Sequence, residues 1–284
     1  MPLAAVALIV GAAACHCAWN LILKSAPHRA QVFLGALGVG VAIASPVFFT
    51  HSLRDVSAEA WLLILLSGVF ETAYVVGLTA AYGAGDLSLV YPIARGTPAL
   101  VIAPLSVGLF GERPSAQGVL GIALIVAGLF AIHRAEGRAE AGRRPARAVL
   151  LAILTGLAIA GYSIVNKLGV ERVPVPLYAA LVFAVDAALF AVVLWARGTL
   201  GWPPLPAGAW KPALGIGVLM MGAYLGVLSA MTRAPLAYVV AGREISIVFT
   251  TLAGVALLGE RASARRLGAA ALIFAGLVTI ALSR

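Results

Sequence analysis

Apolar positions along this chain gather into ten long runs: Leu3–Leu23, Gln31–Thr50, Trp61–Tyr82, Leu87–Phe110, Gln117–His133, Val149–Lys167, Leu177–Trp195, Pro212–Met231, Leu236–Leu258 and Leu267–Leu282. A helix of about 20 apolar residues crosses a hydrocarbon core of ~30 Å. The runs lack the alternating ten-residue pattern of an outer-membrane barrel, so the spans are helical. The pattern predicts an all-α integral membrane protein with ten transmembrane helices. Pro46, Pro92 and Pro98 fall inside runs, where membrane helices tolerate them if neighbours satisfy the freed backbone groups.

Two runs carry an arginine at matching places, Arg95 in the fourth and Arg243 in the ninth. Sixteen residues after each comes the same tripeptide, Gly111-Glu112-Arg113 and Gly259-Glu260-Arg261. Residues 111–129 and 259–277 align without a gap and are identical at 11 of 19 positions. A charge at the bilayer centre costs roughly 2.5–3.5 kcal/mol on insertion scales and faces a cavity or a partner. A duplicated charge therefore marks a duplicated site. Between the halves, Arg134–Arg147 is charged and poor in bulky apolar residues, which predicts a solvated linker. The division is residues 1–133, a linker at 134–147, and residues 148–284, with five helices in each half. An odd number of spans per half turns the second half upside down relative to the first. The expected architecture is two inverted five-helix repeats, with a site at their interface near mid-depth.

Composition sharpens this. With 62% hydrophobic and 11% charged residues and a mean hydropathy of +1.03, the chain is too apolar for a soluble globule. Its net charge of +9 is scattered over short loops, so it is no nucleic-acid footprint. Loops after odd-numbered helices hold twelve Lys and Arg residues, and even-numbered loops plus the C-terminus hold six. By the positive-inside rule this bias puts the odd loops in the cytoplasm and both termini outside. The first run lacks a basic leader and reads as a retained helix, not a signal peptide.

A Trp19-Asn20 pair followed by Lys24, the paired Gly-Glu-Arg closing helices four and nine, and two five-helix repeats together resemble the drug/metabolite transporter superfamily, EamA type. The resemblance covers essentially the whole chain. It implies a multi-pass carrier of small metabolites in the inner (plasma) membrane, often an exporter, and leaves the cargo open. His16-Cys17-Ala18-Trp19-Asn20 and Tyr91-Pro92-Ile93-Ala94-Arg95-Gly96 also look like a branch linked to phosphonate use. Small multidrug members of the superfamily rely on a glutamate in the first helix, which this chain lacks.

Arg95, flanked by Pro92, Gly96 and Pro98, has a composition that fits a kinked or interrupted helix. A guanidinium stays charged and offers a planar fork matched to carboxylate or phosphonate. The competing reading is a structural ion pair with Glu71 or Asp186. Arg243 and Glu244 are adjacent, so they point about 100° apart on a helix and need separate partners. Glu71 aligns with Met220 in the other half, and an acid present once fits an asymmetric duty such as ion coupling. Asp186, Glu244 and His16 are lesser candidates for that duty. Trp19, Asn20, Tyr74, Tyr91, Tyr162 and Tyr224 lie at similar depths and are candidate cavity residues, each also readable as ordinary packing.

Cys15 and Cys17 point to nearly opposite faces of a helix and cannot chelate one ion, so no metal or other cofactor is expected. Gly83-Ala84-Gly85-Asp86 resembles an intramembrane protease string, yet Asp86 stands at a helix boundary without a second aspartate opposite. The sequence points to a secondary transporter or facilitator for a small polar metabolite with an anionic or zwitterionic group, working in the lipid bilayer as a monomer or homodimer. A lipid-linked substrate flippase and an intramembrane enzyme acting on an acidic lipid remain open alternatives.

Overall fold

A backbone in lipid has no water to bond with, and a helix satisfies its own polar groups residue by residue. The computed structural model describes residues 1–85, 87–135, 145–201, 205–258 and 263–283, and these are helical almost throughout. The helices are α1 (Leu3–Ser25), α2 (Arg29–Ala44), α3 (Ala58–Ala84), α4 (Leu87–Phe110), α5 (Ala116–Ala135), α6 (Pro145–Gly169), α7 (Val175–Ala196), α8 (Trp210–Met231), α9 (Leu236–Gly242), α10 (Ile245–Leu258) and α11 (Ala264–Leu282). Among the described residues, nine helices are long and apolar enough to cross a membrane, and a shorter apolar one spans Ala116–Ala131. Large apolar side chains such as Leu62, Leu65, Leu109, Leu150 and Phe274 are exposed on the outside, as a surface facing acyl chains requires.

Each of the ten apolar runs contains one of these spans, with two local departures. The second run ends as a tighter 3₁₀ segment at Ser45–Phe49 with Pro46 at its start, because proline removes a donor and crowds the preceding turn. The ninth run divides into α9 and α10. Glu244, Ser246 and Ile247 each donate their backbone N–H to the residue three positions earlier, at 3.1, 3.1 and 3.0 Å. At Arg95, where a kinked or interrupted helix was expected, α4 is not interrupted and runs through Pro92, Pro98 and Pro104. It packs against α5, α6 and α9, neighbours that hold a proline-weakened helix in place.

The helices also take in both ends of the stretch read as a linker, since α5 reaches Ala135 and α6 begins at Pro145. Residues 136–144, Asp86 and the second Gly-Glu-Arg at 259–261 lie outside the described residues.

The first Gly-Glu-Arg has a structural explanation. Gly111 ends α4 at φ +63, a left-handed conformation that side chains with a Cβ rarely adopt. The turn delivers Glu112 to the start of α9, where its Oε1 accepts from the Leu236 N–H at 2.6 Å. A carboxylate there satisfies an orphan donor and meets the positive end of the helix dipole. Tyr238 on α9 returns the contact by accepting from the Ser115 N–H at 3.0 Å.

Taking α9–α10 as the ninth span and α11 as the tenth, the packed pairs exchange with one another when the two sets of five spans are swapped. The contact of α3 with α6 matches that of α1 with α8, α3 with α7 matches α2 with α8, and α4 with α6 matches α1 with α10. The contacts of α5 with α11 and α2 with α7 map onto themselves. Along the α5–α11 contact a Cβ on Gly121 would stand 2.7 Å from the Gly276 carbonyl oxygen, and one on Gly276 would stand 2.6 Å from that of Gly121. Small residues here let two backbones touch. Gly128 and Gly226 serve similar close approaches, whereas Gly222 has room beside it.

Candidate functional site

The helices around the axis enclose a cavity of about 630 Å³ that extends to Arg29 and Arg197, at the ends of α2 and α7. It takes lining residues from both halves and none from α5 or α11. Three groups of side chains give it distinct walls.

The first wall holds the two arginines. Arg95 is 6% exposed and makes a two-point ion pair with Glu244, Nη2 to Oε1 at 2.8 Å and Nε to Oε2 at 3.0 Å. The planar fork thus meets a carboxylate. Arg243 stands just before Glu244 in the tightened turn and points elsewhere. Its Nη2 donates to the Tyr162 hydroxyl at 3.1 Å, and its guanidinium carbon lies 5.7 Å from the centre of that ring. Tyr74 meets Tyr162 edge-on, with centroids 6.2 Å apart. Arg243 lines the cavity, and among the described residues no carboxylate pairs with it.

The second wall is acidic. Glu71 Oε1 accepts from Tyr224 at 2.9 Å, Ser67 at 3.3 Å and the Asn166 amide at 3.4 Å. Asn166 Oδ1 in turn receives Ser67 at 2.6 Å, Tyr178 at 3.0 Å and Tyr224 at 3.2 Å. Asp186 on α7 stands beside Glu71.

The third wall is aromatic. His16 stands edge-on to Trp19 at 4.9 Å, Trp19 is 6.3 Å from Phe33, and Phe33 is 5.2 Å from Phe190. Phe183 and Tyr224, 5.2 Å apart, join this wall to the acidic one. The cavity can therefore receive a flat or apolar body against α1, α2 and α7 while its charged groups are met from α3, α8 and the α9–α10 turn.

Ten of the twelve site residues expected from sequence line this cavity: His16, Trp19, Asn20, Glu71, Tyr74, Arg95, Tyr162, Asp186, Tyr224 and Arg243. Tyr91 packs against the apolar core instead. Glu244 is buried behind Arg95 and is 4% exposed. In place of the competing pairing of Arg95 with Glu71 or Asp186, the partner is Glu244, because α4 packs against α9 where the arginine sits. The separation of Arg243 and Glu244 onto different partners follows the expectation from helical geometry. Tyr74 and Tyr224, matched in local sequence, have unlike partners, one a tyrosine ring and the other a carboxyl.

Sequence reasoning missed Asn166, Tyr162 as the partner of Arg243, and the Phe33–Phe190 pair. Asn166 was the findable one, as an amide inside an apolar run. The phenylalanines gave no signal among so many apolar neighbours. Among the described residues no group of three or more His, Cys, Asp or Glu could hold a metal ion.

Residues 146–282 match the EamA-like transporter family. Over 242 residues, 85% of this chain and 80% of the other, the sequence is 25% identical to the uncharacterized transporter YwfM of Bacillus subtilis. It is 30% identical over 108 residues to the multidrug resistance protein EbrB of the same organism, covering 37% of this chain and 92% of that one. A solved crystal structure shares the fold with a TM-score of 0.80 at 19% identity, over 99% of this chain and 98% of that chain.

Proposed function

The chain belongs to the EamA-like transporter family and is a multi-pass membrane transporter, and from that premise we propose that it is a secondary carrier of a small polar metabolite bearing an anionic or zwitterionic group. The observation that supports this reading is Arg243, a cavity-lining guanidinium with a hydroxyl and an aromatic ring for partners and, among the described residues, no carboxylate. In this reading Arg243 takes the anionic group of the solute, helped by Tyr162 and Tyr74, while the wall of Trp19 and Phe33 takes its body. Arg95 holds the site together through Glu244. The name of one relative, a multidrug resistance protein, favours the outward direction of transport.

The proposal includes the inverted relation of the halves 1–133 and 148–284. It is supported by the duplicated Arg95 and Arg243 segments and by the exchange of packed pairs. A reporter placed after α10 should then lie on the same side of the membrane as one at residue 140, and a reporter after α4 on the opposite side. A reporter pattern with the α4 and α10 ends on the same side would sink it.

The test of function uses purified protein in sealed vesicles and a panel of anionic, zwitterionic and cationic metabolites, first by thermal shift and then by uptake. Solutes carrying an anionic group should stabilise the protein and cross unchanged, and Arg243→Lys should weaken both responses. A cationic solute as the sole responder would defeat the assignment. A lipid-linked solute that moves between leaflets with no soluble solute crossing would favour the flippase reading.

A further inference from the structure

Asp186 is 7% exposed, and its Oδ1 is buried without a hydrogen-bond donor. Such an oxygen needs a physical account, because an unsatisfied buried acceptor costs about 1–3 kcal/mol and more when charged. Gly68 on α3 brings it close to its neighbours: a Cβ there would stand 3.3 Å from Asp186 Oδ1 and collide with Val185. Glu71, one turn further along α3, then meets Asp186 side by side.

The donors in this region all point away from Asp186. Ser67, Tyr224 and the Asn166 amide serve Glu71, and Tyr178 serves Asn166. The titratable and charged groups facing the pair are Tyr178 on α7 and Tyr224 on α8, with Arg243 the cation that acts on Glu71. Arg95 on α4 is held by Glu244. The residues that α2 turns to the cavity near the pair, Phe33 and Leu37, are apolar. Two carboxylates pressed together away from water cannot both be ionised. A proton on one gives the other the donor it lacks.

We propose that Glu71 and Asp186 form one proton-sharing acid pair, and that this pair is the coupling-ion site of the carrier. The inference rests on the carrier reading for its role, while the pair itself is measurable without any solute. On loading, a proton from cavity water bonds to one carboxylate oxygen, and the resulting O–H donates to the other carboxyl. On release that O–H bond breaks, the electron pair stays on the oxygen, and the proton returns to water. Ser67 and Tyr224 each have one proton and two acceptors in reach, Glu71 and Asn166. Their hydroxyls can turn to Glu71 when its proton leaves. A metal cation fits less well, because the Asn166 oxygen is already taken by three hydroxyls.

The test is infrared difference spectroscopy of the full chain in lipid nanodiscs, titrated with acid and base in the absence of solute. The wild type should show one band of a protonated carboxyl at neutral pH, against the baseline of the Glu71→Gln/Asp186→Asn double variant. Each single variant, Glu71→Gln or Asp186→Asn, should lose the band altogether, since the amide becomes the donor and the remaining acid ionises. A band that survives in either single variant, or is absent from the wild type, overturns the shared proton. A band removed by sodium at fixed pH overturns the choice of proton over metal cation. Tyr224→Phe covers the case of single variants that do not fold: it should shift the band without removing it, and an unmoved band counts against the pair. Arg243→Lys should leave the band in place while weakening the solute-induced thermal shift, so the pair and the solute site can fail separately.

Discussion

Arg95 and Arg243 are 148 positions apart and occupy the same place in two related segments, yet the fold treats them as opposites. Arg95 is closed off by a two-point pair with Glu244, and Arg243 turns to a tyrosine and the cavity. The difference comes from one residue: the position after Arg243 is Glu244, and the position after Arg95 is Gly96. The extra acid on the second copy spans the crossing of α4 and α9 and neutralises the first copy. Duplication supplies two identical charges, and a single later acid divides them into a structural and an available one.

The largest expected effect tests the structural half of this division. Arg95→Ala leaves Glu244 buried without its partner and should cost about 3–5 kcal/mol, read as lost thermal stability and yield in detergent. The double variant Arg95→Leu/Glu244→Leu should recover most of that stability. If Arg243→Ala proves equally damaging to the fold, the two arginines are not different in kind.

The next effect tests the available half. Arg243→Lys keeps a charge but loses the planar fork, and should leave the melting temperature nearly unchanged. Solute affinity should fall about 10- to 100-fold, the worth of a charged hydrogen bond of ~1.5–3 kcal/mol, as measured by thermal shift or uptake.

Glu244→Gln would turn the comparison around by releasing Arg95 from its counter-ion. Affinity for a dianionic solute should then rise relative to a monoanionic one, and an unchanged ratio would show that Arg95 cannot reach the cavity contents. The smallest effect belongs to Tyr162→Phe, which removes the hydroxyl that accepts from Arg243. A loss of about 0.5–1.5 kcal/mol is expected, seen as a several-fold weaker solute response with the fold intact.

Much of this was legible in the chain. The ten runs mark ten spans because an apolar stretch of that length has few alternatives in lipid. Arg95, Glu71, Asp186 and Arg243 stood out because ionisable residues are rare there and cluster on cavities. Their pairing was not legible, since it depends on which helices cross at which depth. Glu71 lies nearer mid-helix than Glu244 does, yet Glu244 takes Arg95 because the α9–α10 turn aims it there. The break in the ninth run was misplaced onto the fourth for a related reason. Pro92, Pro98 and Pro104 advertise a weak helix that packing then repairs, whereas the turn at Gly242–Ile245 carries no proline at all. The role of Glu112 was hidden too, since its duplicated motif closes one helix and caps another that is remote in sequence.

The reciprocal contact of Gly121 and Gly276 has a consequence for a carrier that exposes its cavity first to one side and then to the other. A seam that maps onto itself when its two helices are exchanged has no preferred end. In the proposed carrier with inverted halves, the same two backbones bear on each other whichever way the halves lean, so the seam should contribute equally to both orientations and not set the balance between them. In the proposed carrier that balance falls to contacts outside the seam. Substitution at the seam should change how firmly the two halves hold together, and substitution at contacts outside it which way the protein rests.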